Sequence, residues 1–158
     1  KYASVVQAVV GYHNWKGINL KAFGGLVPTI EQRDILGVLF NSSFLSGRAP
    51  KNGAQLSVFL GGTKRPEIFE LEDEDIEDIV AREFRQMMGV PVFRPDLFEI
   101  FRYKYAIPQY GLSSGKRFET ISLIQQKYPG LVLAGNIRDG IGMADRIKQA
   151  RTIAGELN

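Results

Sequence analysis

Valine and alanine recur through residues 3–12, ASVVQAVVGY, with almost no polar break. Such a run predicts a strand buried on both faces. Residues 13–25 are a loop ending in a double glycine, and Leu26-Val27-Pro28 is a short extended piece. Residues 35–41, ILGVLFN, predict a second apolar strand. Residues 42–54 are polar and hold Gly47, Pro50 and Gly53, the composition of a loop. Residues 55–60 predict a third strand, closed by Gly61-Gly62. Apolar strands joined by turn-rich loops point to an antiparallel sheet.

The period then changes. Ile76, Ile79, Val80, Phe84, Met87 and Met88 recur at spacings of three and four, which predicts a helix over 73–88 with one apolar stripe. Asp73, Glu74, Asp75, Glu77 and Asp78 crowd its first turns, where the helix dipole favours negative charge. Arg82 and Arg85 follow, and Gly89 supplies the stop. The acidic run reads as helix-start electrostatics on a wet face rather than a cation site, and the methionine pair reads as core.

Residues 97–105 alternate and predict a fourth strand. Leu97, Phe101, Tyr103 and Tyr105 share one face with Glu99, and Phe98, Ile100, Arg102 and Lys104 share the other. Residues 106–110, AIPQY, interrupt it. Ser114 is placed to cap a helix running to about Tyr128, burying Phe118, Ile121, Ile124 and Tyr128. Pro129-Gly130 ends that helix, and 131–134 is a short apolar strand. Glycines at 135, 140 and 142 lead into a last helix with Ile147, Ile153, Ala154 and Leu157 facing inward. The fold class is α+β, with a mainly antiparallel sheet of four to five strands and two to three packed helices.

Composition narrows the chemistry. The 158 residues are 44% apolar and 23% charged, with no cysteine and one histidine. Disulfides, thiolate-metal sites and thiol catalysis are excluded, as is a multi-histidine metal centre. No window approaches the ~20 apolar residues that span a bilayer, and no signal peptide is visible. The chain opens at Lys1 directly into an apolar run, so it is expected to be cut from a longer protein. The net charge is +3, but eight of the 17 carboxylates fall in residues 67–78, which hold no lysine or arginine. The basic excess elsewhere is scattered, which favours a solvated mixed surface over a nucleic-acid patch.

The most informative chemistry is LVLAGNIRDGIGMADRIKQA, a strand, a glycine turn and a helix start. The first N–H groups of a helix have no internal partner, and its dipole points the positive end outward. Glycine lets a phosphate or a flat ring come close to the backbone. Gly135, Asn136, Gly140 and Gly142 suit that role. On pattern alone a tight structural turn is equally good, and neither G-x-G-x-x-G nor a P-loop occurs. Phe23-Gly24-Gly25-Leu26 either lets a flat ligand lie on backbone or is a plain turn. The aromatics at 101, 103 and 105 read as sheet packing before ligand stacking. His13 reads as a surface residue, and no G-x-S-x-G or carboxylate pair in an apolar setting is present.

Several segments together carry a resemblance: FGGLVPTIEQRDILGVLFNSSFLSGRAP, LSVFLGG, AIPQY and the terminal LVLAGNIRDGIGMADRI. In this order and spacing they resemble the C-terminal portion of the oxygen-dependent, FAD-containing protoporphyrinogen oxidases, within the flavin amine oxidoreductase superfamily. They span most of residues 2–153. The related coproporphyrinogen oxidases share the motifs. The resemblance implies that Gly135, Asn136, Ile141, Gly142 and Met143 close an FAD site. It implies that Phe23, Gly24, Leu26, Leu39 and Phe59 line an apolar wall for a porphyrinogen. Residues 1–110 would be part of a substrate-binding domain and 111–158 the C-terminal part of an FAD-binding domain.

The implied reaction takes hydrogens from a cyclic tetrapyrrole in haem biosynthesis, with FAD accepting hydride and molecular oxygen reoxidising it. The missing N-terminal FAD-binding region of the same chain is a required partner, so these residues alone are expected to be inactive and to self-associate. A cytoplasmic protein is implied, either free or peripheral on the cytoplasmic membrane, and no nucleic-acid partner. The rivals are another flavin amine oxidoreductase, such as an amine oxidase or carotenoid desaturase relative, and a basic binding module without catalysis. Two positions depart from the family pattern. Tyr110-Gly111-Leu112-Ser113-Ser114 replaces its Y-x-L-G-H, and Arg146, where relatives often carry cysteine, is expected to be neutral.

Overall fold

The computed structural model describes residues 1–156, so Leu157 lies outside the described residues. Two compact units emerge: Ala3–Ala106, and Lys1–Tyr2 with the residues from Ile107 onward.

The larger unit is built on a five-stranded sheet in the order β2-β3-β4-β1-β5. The strands are β1 (Tyr2–Tyr12), β2 (Gly24–Leu26), β3 (Ile35–Leu39), β4 (Ala54–Gly61) and β5 (Leu97–Pro108). β1 pairs antiparallel with β4, β3 with β4, and β2 with β3. At the β5 edge, Asp96 N–H donates to Gly11 O and Gln109 N–H to Lys1 O, so this pair is antiparallel too. The antiparallel α+β reading holds.

Helix α2 (Asp73–Met87) covers one face of the sheet. Its Ile76, Val80 and Phe84, with Met88 just past its end, close on Val6, Ala8, Val10, Leu56, Val58 and Leu60. Each such side chain contributes about 1.5–3 kcal/mol by leaving water. Trp15 extends this core, edge-on to Phe84 at 6.4 Å, with Phe93 at 5.2 Å on Phe84 and Phe98 at 5.8 Å on Phe93. The acidic residues at 73–75, 77 and 78 are exposed. Among the described residues one charged group lies inside: Glu83, 3% exposed, accepts from Arg33 Nη1 at 3.0 Å. The helical period places Glu83 on the buried stripe, seven residues after Ile76, four after Ile79 and three after Val80.

Several local expectations are corrected. β1 buries Val6, Ala8 and Val10 on one face; on the other Ala3 and Val5 are buried while Gln7 and Val9 are half-buried, so the second face is covered only in part. The second strand stops at Leu39, because Asn41 opens the short helix α1 (Asn41–Phe44) inside the expected loop, and Ala54 already belongs to β4. The extended piece is Gly24–Leu26, two residues earlier than expected. β5 runs through Ile107 to Pro108, for an edge strand tolerates a proline that has no N–H to give.

In the smaller unit, α3 (Ser114–Lys127) is capped by Ser113 without a side-chain bond, and Ser114 Oγ instead accepts from Arg117 at 2.8 Å. Of its expected buried stripe only Ile121 is fully buried, Ile124 is half-buried, and Phe118 and Tyr128 are exposed. Residues 131–134 form no strand, since among the described residues no neighbouring strand pairs with them. Glutamine side chains take the ladder's place: Gln125 accepts from Leu133 N–H at 2.8 Å and Gln149 from Gly135 N–H at 2.9 Å. The last helix, α4 (Met143–Glu156), buries no described residue. Ile147 (64% exposed) and Ala154 face solvent, and Ile153 is half-buried. An amphipathic stripe needs a surface to meet, and this unit offers little.

Candidate functional site

The glycine turn at 135–142 is a closely wired piece of backbone. Gly135 and Gly140 have φ of 110° and 96°, and Asp139, which is not glycine, stands at 61°. Arg146, one turn into α4, reaches back under this stretch. Its Nη1 donates to Gly135 O and to Gln149 Oε1, and its Nη2 donates to Arg138 O and Asp139 O, both at 2.9 Å. The Tyr110 hydroxyl lies 2.9 Å from Asn136 O and 3.3 Å from Gly140 O. Tyr2 donates to Asn136 Oδ1 at 3.3 Å. Gln149 Nε2 donates to Asp139 Oδ2 at 2.7 Å. That bond, with the Arg138 guanidinium, holds the Asp139 carboxyl below its ordinary range.

The start of α4 is capped from within. Asp145 Oδ2 accepts from Gly142 N–H at 3.1 Å, the back-reaching half of a capping box. Gly140 has a φ of 96° that other residues rarely adopt, and a side chain there would also press on the Asp145 carboxylate. At Gly135 the same space is open. Ile141 and Met143 are apolar and exposed, Met143 at 79%. A cavity of about 350 Å³ lies in the same unit, lined in part by Val132, Leu133, Arg138, Asp139, Gln149 and Ile153. Gly135, Ile141 and Met143 are not among its walls.

In the larger unit the residues expected to form an apolar wall fall on the sheet face opposite α2. The register sets Leu26 across from Gly37, Gly37 from Phe59 and Phe59 from Gln7. The next row sets Gly24 across from Leu39, Leu39 from Ser57 and Ser57 from Val9. Gly24, Leu26, Leu39 and Phe59 are therefore brought together. Phe23 is not: its ring stacks on Phe44 of α1 at 4.1 Å. Gly24, at φ 143°, is glycine because a side chain would run into the Val38 carbonyl, while Gly25 faces open space. Phe98 and Ile100 pack on the core side of β5. Alternation therefore puts Phe101, Tyr103 and Tyr105 on the same face as the wall. Gln7 Nε2 donates to Ser57 Oγ at 3.1 Å in the middle of it. His13 is exposed, and its Nδ1 lies 3.1 Å from Asp96 Oδ1.

Sequence reasoning missed Arg146 and Tyr110. Arg146 is not neutral: it is the hub of the turn. The available signal was a cation one helical turn after the last glycine, with Gly142 and Arg146 on the same side of the helix.

Over residues 1–158 the chain matches the family described as flavin containing amine oxidoreductase, and it belongs to that family. Within it the chain is similar to mitochondrial protoporphyrinogen oxidase of Nicotiana tabacum, 31% identical over 127 residues. That match covers 78% of this chain and 25% of the tobacco protein. It is also 26% identical to coproporphyrinogen III oxidase of Bacillus subtilis, over 65% of this chain and 22% of that one. The chain thus spans about a quarter of the length of these curated relatives. A solved structure from Exiguobacterium sp. 255-15, provisionally named a protoporphyrinogen oxidase, superposes with a TM-score of 0.80 at 19% identity. The match covers 99% of this chain and 35% of that one. Reduced UDP-galactopyranose mutase gives 0.63 at 12% identity, over 80% of this chain and 26% of that one. These likenesses establish a shared fold.

A flavin cofactor follows from the family, and the turn fits such a group. Gly135 leaves open space where a side chain would stand, although its N–H and C=O are taken by Gln149 and Arg146. Ile141 and Met143 offer unpacked apolar surface, and the first amides of α4 have no partner inside the helix. Gly142 N–H is engaged by the Asp145 carboxylate. No helix among the described residues is long and apolar enough to cross a membrane.

Proposed function

We propose that the chain is the C-terminal part of an FAD-dependent porphyrinogen oxidase of haem biosynthesis. The observation that carries this reading is the strand register, which gathers Gly24, Leu26, Leu39 and Phe59 on one sheet face. The similarity to protoporphyrinogen oxidases across most of the chain supports it. FAD, when bound, would supply the acceptor for a hydride from a ring carbon of the tetrapyrrole, which also gives up a proton, and would return the two electrons to oxygen as hydrogen peroxide. Leu39 and Phe59 give the macrocycle an apolar bed and keep water from it, which disfavours charged competitors. Leu26, 86% exposed at the sheet's edge, extends that bed. Gly135, Asn136, Ile141, Gly142 and Met143 meet the cofactor with backbone and apolar surface. In this reading 1–110 belongs to the substrate-binding domain and 111–158 to the FAD-binding domain.

The test uses the full-length protein. Its flavin spectrum is recorded, protoporphyrinogen or coproporphyrinogen is added in air, and porphyrin fluorescence is followed. Flavin absorbance with growing fluorescence is the expected result, and the faster substrate identifies the pathway. Flavin without porphyrin overturns the substrate and favours another amine oxidoreductase. No flavin overturns the reading altogether. The 158 residues alone, which contain no G-x-G-x-x-G, are expected to be colourless and inactive.

A further inference from the structure

We propose that Arg146 is the positioning residue that shapes the glycine turn for its flavin, an inference that rests on the flavin reading above. The turn carries φ values of 110°, 61° and 96° at Gly135, Asp139 and Gly140. The two glycines take such angles freely, whereas Asp139 keeps its left-handed conformation only when its surroundings hold it. The surroundings here are largely one side chain. The planar guanidinium donates to the carbonyls of Gly135, Arg138 and Asp139 and to the Gln149 amide oxygen. Only arginine offers a fork of donors wide enough for acceptors on both sides.

The fork also has a directional effect. Arg146 takes three of the turn's carbonyls, and the Tyr110 hydroxyl faces those of Asn136 and Gly140. Five carbonyl oxygens from 135–140 are therefore aimed at protein donors. A phosphate-bearing cofactor is repelled by carbonyl oxygens and attracted by N–H groups. Holding the carbonyls inward leaves Gly135 with its open space, and the exposed Ile141 and Met143, as the surface on offer. The Arg146 Nε is buried without a partner. The side chain keeps this pose although one of its donors is lost, so the carbonyl contacts dominate its placement.

The test is reconstitution of full-length apoprotein with FAD, for wild type, Arg146→Met and Arg146→Lys. Binding is read by flavin fluorescence quenching and by the shape of the bound flavin's visible band. Thermal stability of each apoprotein is recorded in parallel. Losing the fork is expected to weaken FAD binding at least about tenfold in Arg146→Met, as expected when several charge-assisted bonds go. Arg146→Lys, which keeps the charge but not the fork, should fall between. An altered visible band should accompany the loss. If the methionine variant does not fold, the lysine variant decides: equal affinity to wild type overturns the proposal. A variant that loses only apoprotein stability and binds FAD normally also overturns it, since the role is then structural. Wild-type protein that takes up no flavin overturns the flavin reading and this inference with it. Wild type that binds and Arg146→Met that binds equally well overturns this inference alone.

Discussion

Residues 3–106 and residues 107–156 hold themselves together by different means. The larger unit has a dry interior in which α2 closes on three adjacent strands, with side chains such as Phe84, Leu56 and Val58 shut off from water. In the smaller unit Ile121 and Pro108 are the buried apolar residues among those described, while Leu112, Leu123, Met143 and Ile147 face outward. Its order comes from side chains that bond backbone: Arg146, Tyr110, Gln125 and Gln149. Burial is non-directional and supplies stability, whereas hydrogen bonds supply shape at small net gain. A unit built mainly of the second kind is well shaped and poorly stabilised. Its outward apolar residues are what a larger body of protein would cover.

The contrast is open to measurement. Phe84→Ala should cost about 3–5 kcal/mol in denaturant unfolding of the larger unit, and slow-exchanging amides in β1 and β4 should lose their protection. If the amides of α4 are instead as protected as those of β4, the proposed imbalance is wrong. Glu83→Gln keeps the shape but removes the charge facing Arg33, and should cost about 2 kcal/mol. A neutral result would mean that the guanidinium is satisfied by Gln86, whose Oε1 lies at 2.8 Å. Ile121→Ala should cost about 2 kcal/mol at most, because so little surrounds it. It should act on α3 without changing the larger unit's midpoint.

The smallest expected effect is alkaline. Burial first, and the Asp96 charge second, push the Tyr12 hydroxyl up to about 12 from an ordinary 10.0. The neutral phenol is thus favoured in the folded state. Its contribution is fully present below pH ~10 and is lost as pH rises towards 12, because the unfolded tyrosine ionises first. Tyr12→Phe should flatten stability across that window. An unchanged slope would mean that Tyr12 reaches water.

How much of this was readable in the chain follows the same division. The helix over 73–88 and the central strands announced themselves because their partners lie within the same hundred residues, so period and burial agree. The stripe on α4 and the apolar run at 131–134 were read by the same rules and misplaced, since a stripe or a strand is realised only against a neighbour. The glycine turn was visible as a candidate through its composition. Arg146 was not, because which carbonyls a long side chain reaches is decided by the fold of the turn. The wall residues came from resemblance. Alternation could explain Leu39 and Phe59 afterwards but could not single them out from other apolar strand positions.

The two glutamines beside residues 131–135 bear on solubility. A short apolar segment with unpaired ladder amides is a template on which other chains add as strands and aggregate. Gln125 and Gln149 occupy alternate N–H groups of that segment, at Leu133 and Gly135, from two different helices. A side-chain amide blocks the edge without freezing it, since it can swing away whenever a better backbone partner arrives. Both properties suit a newly made chain, which must keep such an edge from the wrong neighbours and still yield it to the right one.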